Sequence, residues 1–276
     1  LMFKKTGSVK LKSKKNLWMI LIVVVVAVSV VSVILLKKTE DSKEEKPSKT
    51  TQTTQKKEPQ TVTKNNQNTK SEFVEAVEIT INESKWNLTL LNRNYKLPAG
   101  YVPKTAKIKL SENDPRRTQK ALNETLDYRV APEYQKMYDA AVKDGIYLTP
   151  CSGYRSVALQ ESIFNRYVKR YEDEGYSQDK AKYKASNTSL PPGTSEHNMG
   201  IAMDIINTRD IFKDSKEYAW LEKNAHNYGF ILRYPKDKTQ ITNVMYEPWH
   251  WRYVGVDDAV KIKKSGQCLE EYLGVK

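Results

Sequence analysis

The pattern of apolar and polar residues divides this 276-residue chain into three parts. Leu17 to Leu36 is a run without charged side chains, long enough to cross a bilayer as a helix. Residues 37–72 are mostly Lys, Glu, Thr, Gln, Asn and Ser, with almost no large apolar residue. Because such a segment cannot bury enough apolar surface to offset its chain entropy, we predict a disordered linker there. Residues 73–276 are long enough to form one domain with a sizeable core.

Helical periodicity marks the first half of this domain. In residues 132–144, apolar side chains recur at the i, i+3, i+4 and i+7 spacing of an amphipathic helix: Tyr134, Met137, Tyr138 and Ala141. Pro132 near the start and Gly145 just past the end agree with this prediction. A second helix is predicted to begin near Ser156, and residues 177–188 are predicted to form a polar helix–loop insertion.

Short β-like runs cluster in the second half of the domain. The predicted extended segments are 86–92, 146–149, 201–206, 230–234 and 249–254. Further helices are predicted over 215–227, 257–264 and 269–273. Since helices come early and strands come late, we predict an α+β fold in which helices pack around a small antiparallel sheet.

The N-terminal segment carries a topology signal. Residues 1–16 contain six lysines and no acidic residue, so the positive-inside rule places them in the cytoplasm. A cleaved signal peptide would have a shorter apolar core ending in small residues, so we favour an uncleaved anchor at 17–36. We therefore expect a single-pass protein of the cell membrane, with the linker 37–72 and the domain 73–276 outside the cytoplasm.

The basic composition reflects this topology rather than a nucleic-acid surface. Residues 1–38 contribute +8 and residues 39–72 contribute +1, which leaves +4 of the net charge of +13 for residues 73–276. A nucleic-acid partner is therefore not expected. The two cysteines, Cys151 and Cys268, leave open a disulfide or two separate buried thiols.

The candidate chemistry lies in two segments that hold two of the three histidines. His197 and Asp204 belong to the first segment, and His250 belongs to the second. Two imidazoles and a carboxylate are common ligands of a catalytic zinc, and they leave a position for water. Gly200 can break the path between a histidine on a loop and an aspartate on a strand. His226, near a predicted helix end, is interpreted as a residue outside the site.

The remaining candidates surround these ligands. Glu247 precedes Pro248 in a predicted turn and could act as a general base, or could be a surface carboxylate. Arg155 could stabilise an oxyanion or bind a substrate carboxylate, or form a structural salt bridge. The weaker substrate-binding candidates are Ser195, Gln160, Tyr154 and Trp249. Ser195 could equally cap a turn, and aromatic residues beside Glu247 indicate a cleft.

Three ordered motifs carry a family resemblance. They are Ser-Gly-Tyr-Arg at 152–155, Ser-x-His-x-x-Gly-x-Ala-x-Asp at 195–204 and Glu-x-Trp-His at 247–250. Together they resemble the zinc D-alanyl-D-alanine carboxypeptidases and dipeptidases of the VanY/VanX type (peptidase family M15), with the VanY-like branch the nearer match. The resemblance covers roughly residues 86–253.

The resemblance implies a function for each part of the site. It implies that Zn²⁺ is held by His197, Asp204 and His250, with Glu247 as general base and Arg155 as transition-state stabiliser. The implied substrates are peptidoglycan stem peptides ending in D-Ala. An L,D-carboxypeptidase acting on the tetrapeptide stem is the alternative within the class, and a non-catalytic wall-binding module is the alternative outside it.

Overall fold

The computed structural model describes residues 73–120 and 122–275. The predicted cytoplasmic tail 1–16, anchor 17–36 and linker 37–72 lie outside the described residues. Within the described ranges, no helix combines the length and the apolar composition that crossing a bilayer requires.

The described part of the chain is a mixed α+β domain. Its helices are α1 Ala131–Lys143, α2 Val157–Asp173, α3 Gln178–Ser186, α4 Lys216–Asn224, α5 Thr239–Thr242, α6 Val256–Ser265 and α7 Leu269–Tyr272. Its strands are β1 Val77–Glu78, β2 Tyr95–Lys96, β3 Thr105–Lys107, β4 Thr125–Asp127, β5 Pro150–Ser152, β6 Ala202–Ile205, β7 Phe230–Leu232 and β8 His250–Tyr253. The prediction of a small antiparallel sheet surrounded by helices is confirmed for this domain.

The central sheet has four strands in the order β5-β6-β8-β7, and every pair is antiparallel. Its register pairs Asp204 on β6 with His250 on β8, and Ser152 on β5 with Asp204. Side chains of paired residues point to the same face of a sheet. The three sequence motifs therefore meet on three neighbouring strands.

Helix boundaries follow the local signals in the sequence. Helix α1 carries a proline in its first turn and ends just before Gly145, as predicted. Helix α2 starts after Ser156, whose hydroxyl accepts a hydrogen bond of 3.2 Å from the amide of Leu159. The polar insertion forms α3, which packs against α2 and begins after the capping Ser177.

Two apolar clusters matter for the site. The main core lies between α1, α4 and the sheet, and it includes fully buried Tyr134, Met203 and Ile205. Met203 and Ile205 alternate with Asp204 along β6, so one face of this strand faces the core and the other faces the site. The hairpin of α2 and α3 has a separate small cluster: Phe164, Val168, Ala181 and Ala185.

Two predictions of extended structure are wrong. The extended segment predicted over 86–92 instead begins within a 3₁₀ helix, residues 83–88. This helix starts after Asn82, whose side chain accepts a hydrogen bond of 3.0 Å from the amide of Ser84. The strand predicted over 146–149 begins later, at Pro150. The Leu148 carbonyl accepts the Tyr134 hydroxyl at 2.7 Å, and the Thr149 hydroxyl donates to Asp114.

Candidate metal centre

The first two candidate ligands come from one turn-and-strand unit. His197 lies in a 3₁₀ turn, Glu196–Asn198, which is capped by the Ser195 hydroxyl. Gly200 then connects this turn to β6 with φ of +71°, and a Cβ at this position would lie 2.7 Å from the Asp127 amide nitrogen. Because the backbone is left-handed and tightly packed there, this position requires glycine. The turn brings His197 back over Asp204.

The structure brings His197, Asp204 and His250 together. Asp204 Oδ2 lies 3.3 Å from His197 Nε2, and Asp204 Oδ1 lies 3.1 Å from His250 Nδ1. One ligand atom from each residue falls within 4.8 Å of the others. The two imidazole rings are perpendicular, with centroids 4.9 Å apart. Three buried donor atoms therefore converge on one point.

Outer hydrogen bonds of the two histidines direct the other nitrogen of each imidazole toward Asp204. The Gly153 carbonyl lies 2.8 Å from His197 Nδ1, and since a carbonyl only accepts, Nδ1 carries the proton and Nε2 has the free lone pair. On His250, the carboxylate of Glu196 lies 3.1 Å from Nε2, so Nδ1 faces Asp204. Two imidazoles with outer hydrogen-bond partners, plus one carboxylate, fit a zinc site.

The charges of these residues also favour a cation. Burial alone would raise the pKa of Asp204, but His197 and His250 hold it well below the usual range, so the carboxylate is ionised. Burial lowers the pKa of His197, which keeps this imidazole neutral. The pKa of His250 is lowered by burial but raised more strongly, to about 9, by hydrogen bonds to Asp204 and Glu196. Positive charge is therefore stabilised between these two carboxylates.

Glu247 lies beside this point on the turn that precedes β8. The His250 amide donates to the Glu247 carbonyl at 3.1 Å, which closes the turn around Pro248. Glu247 Oε2 lies 3.7 Å from His250 Nδ1. Burial raises the pKa of Glu247 to about 7. A carboxyl group with a pKa near neutrality can both accept and donate a proton.

Arg155 is fixed on the other side of the ligands. Its Nη1 donates to Gln160 Oε1 at 2.6 Å, and its Nη2 donates to Ser152 Oγ at 3.1 Å. Nη2 lies 3.9 Å from Asp204 Oδ2. The guanidinium is therefore held in one orientation next to the ligand set.

A cleft of about 550 Å³ opens onto the site. Its lining includes all the predicted ligands, Glu247 and Arg155, together with Ser195, Gln160 and Trp249. Tyr154 does not line this cleft but lines a second cavity of about 510 Å³. His226 borders a third cavity of about 270 Å³, away from the ligands, as the sequence predicted. Cys151 and Cys268 are free thiols, so the disulfide alternative is not realised.

Sequence reasoning missed a buried ionic network next to His250. Glu196, Arg233, Arg252 and Glu270 are all buried. Arg233 directly follows strand β7, and Arg252 lies within strand β8. A charged residue in such a run is seldom buried without a partner. That signal, together with the position of Glu196 inside the His197 motif, could have identified three of the four residues.

Comparisons with known proteins identify the family of this chain. A family model described as VanY, D-alanyl-D-alanine carboxypeptidase, matches residues 123–256. A D-alanyl-D-alanine carboxypeptidase of Enterococcus faecalis is 42% identical over 195 residues, which cover 70% of this chain and 68% of that protein.

Solved structures share the fold. An alanine mutant of the vancomycin resistance D,D-pentapeptidase VanY, in complex with Zn(II), is 40% identical, with a TM-score of 0.56 over 68% of this chain and 99% of that one. VanYB in complex with D-alanine-D-alanine is also 40% identical, with a TM-score of 0.57 over 69% and 99%. The LD-carboxypeptidase LdcB is 35% identical, with a TM-score of 0.62 over 73% and 91%. The chain therefore belongs to the VanY family of D-alanyl-D-alanine carboxypeptidases, which are zinc-dependent hydrolases.

Proposed function

We propose that this protein removes the terminal D-Ala from peptidoglycan stem peptides that end in D-Ala-D-Ala. The observation that carries this proposal is the convergence of His197, Asp204 and His250 with Glu247 and Arg155 at the end of one cleft. The likeness to VanYB, whose structure contains D-alanine-D-alanine, supports this choice of substrate.

The zinc would be held by His197 through Nε2, by Asp204 through its carboxylate and by His250 through Nδ1. When bound, zinc acts as a Lewis acid and lowers the pKa of a coordinated water, which supplies a nucleophile at neutral pH. The chain itself contributes the orientation of the donors, because Gly153 and Glu196 bind the outer nitrogens of the two imidazoles.

Glu247 is the general base in this proposal. Its carboxylate accepts the proton of the water that attacks the scissile carbonyl, and it returns this proton to the leaving amine of D-Ala. The partial burial of its side chain supports this role, because it raises the pKa of Glu247 above the usual carboxyl range and so makes the carboxylate a better proton acceptor.

Arg155 stabilises the negative charge that develops on the carbonyl oxygen. Its fixed position supports this role, since a preorganised donor needs no reorientation during the reaction. Gln160 was predicted to bind substrate, but its Oε1 accepts from Arg155 and its Nε2 donates to Ser189 Oγ and the Leu190 carbonyl. We therefore assign Gln160 to the orientation of Arg155. Ser195 and Trp249, which line the cleft, remain candidates for contact with the peptide.

The second candidate is an L,D-carboxypeptidase, favoured by the likeness to LdcB. Incubation of the protein with pentapeptide and tetrapeptide stems, followed by mass spectrometry of the products, separates the two activities. We expect loss of one alanine from the pentapeptide. Release of alanine from the tetrapeptide alone would overturn the D,D assignment in favour of the L,D activity.

We also propose that residues 17–36 anchor the protein in the cell membrane with residues 73–276 outside the cytoplasm. The uncharged apolar run and the lysines before it support this topology. The protein with a C-terminal tag should remain in the membrane pellet after carbonate washing, and protease added to spheroplasts should remove the tag. Recovery of intact protein in the soluble fraction would contradict the anchor.

A further inference from the structure

A completely buried carboxylate binds the outer side of His250. Glu196 has no exposed surface. Its Oε2 lies 3.1 Å from His250 Nε2, and its Oε1 accepts from Arg233 Nε at 2.7 Å and from Arg252 Nη1 at 2.6 Å. Burying an ion is costly unless it is paired and hydrogen-bonded, and Glu196 meets both conditions.

The two arginines are themselves fixed. Arg233 forms a bidentate pair with Glu270 on α7, with distances of 2.8 and 2.7 Å. Arg252 Nη2 donates to the carbonyls of Asn87 and Thr89 at 2.8 and 2.9 Å. Since both Arg233 and Arg252 are held by further groups, the carboxylate between them has a single orientation.

This orientation determines which nitrogen of His250 faces Asp204. A carboxylate accepts only, so Glu196 holds a proton on Nε2 of His250, and Nδ1, which faces Asp204, is the nitrogen that can give up its proton to bind zinc. The Tyr234 ring, whose centroid lies 4.9 Å from that of His250, limits rotation of the imidazole.

We propose that Glu196 is a positioning residue that sets the tautomer and orientation of His250 for zinc, and that Glu270 supports it through Arg233. This inference rests on the proposed role of His250 as a zinc ligand through Nδ1. It extends the site to α7, beyond residue 256 where the family match ends.

Glu196→Gln tests the proposal with little change in shape. Glutamine has one acceptor oxygen, and this oxygen should take the place of Glu196 Oε1, to which Arg233 and Arg252 both donate. Its amide NH₂ would then face the N–H of His250, donor against donor. We expect the zinc dissociation constant, measured by competition with a chelator, to rise about 10–100-fold.

Glu217→Gln is the matched control, because Glu217 is also buried and pairs with an arginine, Arg116, away from the ligands. Its zinc dissociation constant should equal that of the unmodified protein. An equal rise in both variants would overturn the proposal, because the effect would then be a general consequence of removing a buried carboxylate.

The imidazole can be observed directly, since the protein has only three histidines. In ¹⁵N NMR spectra of the zinc-free protein, recorded where His250 is neutral, this residue should carry its proton on Nε2, and Glu196→Gln should weaken or reverse this preference. An unchanged tautomer and an unchanged zinc dissociation constant in folded Glu196→Gln would overturn the proposal, even if its melting temperature falls.

Glu270→Gln provides a second test if Glu196→Gln does not fold, because it leaves Glu196 in place. A smaller rise in the zinc dissociation constant is expected, and no rise would overturn the role of Glu270.

His250→Ala separates this inference from the proposed site. Retention of zinc at unchanged affinity in His250→Ala would contradict the ligand assignment itself.

Discussion

At the scale of single residues, the proton-transfer group shares a segment with only one of the three ligands, His250. His197 and Asp204 come from the turn before β6 and from β6 itself, whereas Glu247 comes from the turn before β8. Removing the base should therefore leave the metal site assembled. The two functions can be measured separately.

Glu247→Gln should reduce kcat by about 10²–10⁴-fold, because glutamine cannot take up a proton. Bound zinc, measured by elemental analysis, should stay at the level of the unmodified protein, since Glu247 is not among the three converging ligands. Turnover at the original rate would disprove the base assignment. Loss of zinc in this variant would show that Glu247 belongs to the ligand set.

Arg155→Lys should reduce kcat by roughly 10²–10³-fold, the effect typical of losing an oxyanion donor. A lysine keeps the positive charge but cannot contact Gln160 and Ser152 together with the substrate oxygen. Steady-state kinetics on a stem pentapeptide would measure this change. An unchanged rate would restrict Arg155 to a structural role.

At the scale of elements, sequence patterns predicted the helices better than the strands. Helix α1 has a 3.6-residue period and a proline in its first turn, which are local signals. The pairing of β3 with β4, or the parallel pairing of β1 with β2, depends on residues distant in sequence. Strands of two or three residues are too short to show a period. The sequence therefore could not predict these two small sheets.

The residues of the candidate site also differ in whether the sequence could predict them. His197, Asp204, Glu247 and His250 could be selected from the sequence because two of the three histidines lie in short motifs with carboxylates, and these motifs resemble those of the VanY/VanX-type enzymes. The pairing of Arg233 with Glu270 could not be predicted, because it depends on the packing of α7 against the region after β7. Tyr154 is adjacent in sequence to Arg155, yet it lines a different cavity.

Gly200→Ala tests the connection between the turn and β6. The left-handed backbone alone should cost about 1–2 kcal/mol of unfolding free energy, and the contact with Asp127 should add to this. Gly266→Ala is the matched control, since Gly266 has φ of +68° and open space around it. Urea unfolding should show a larger loss for Gly200→Ala. Equal losses would mean that the contact with Asp127 is unimportant.

At the scale of the whole molecule, zinc should couple activity to stability. Three buried ligands that converge only in the folded chain bind zinc there in preference to the unfolded chain. At a free zinc concentration 100 times the dissociation constant, the folded state should gain about 2.7 kcal/mol. Chelation should abolish hydrolysis and lower the Tm, and added zinc should restore both. Full activity in protein free of metal by elemental analysis would contradict the zinc site.

The α2–α3 hairpin has its own apolar cluster, separate from the core behind the sheet. It contributes Gln160, Ile163, Tyr167 and Ser186 to the cleft, and residues 187–189, which follow it, also line the cleft, but none of these is a metal ligand. Mutations can therefore accumulate in one side of the cleft without disturbing the metal, provided that Gln160 still contacts Arg155. Substitutions in the hairpin should therefore change the shape of the cleft that receives the substrate while the metal ligands stay in place.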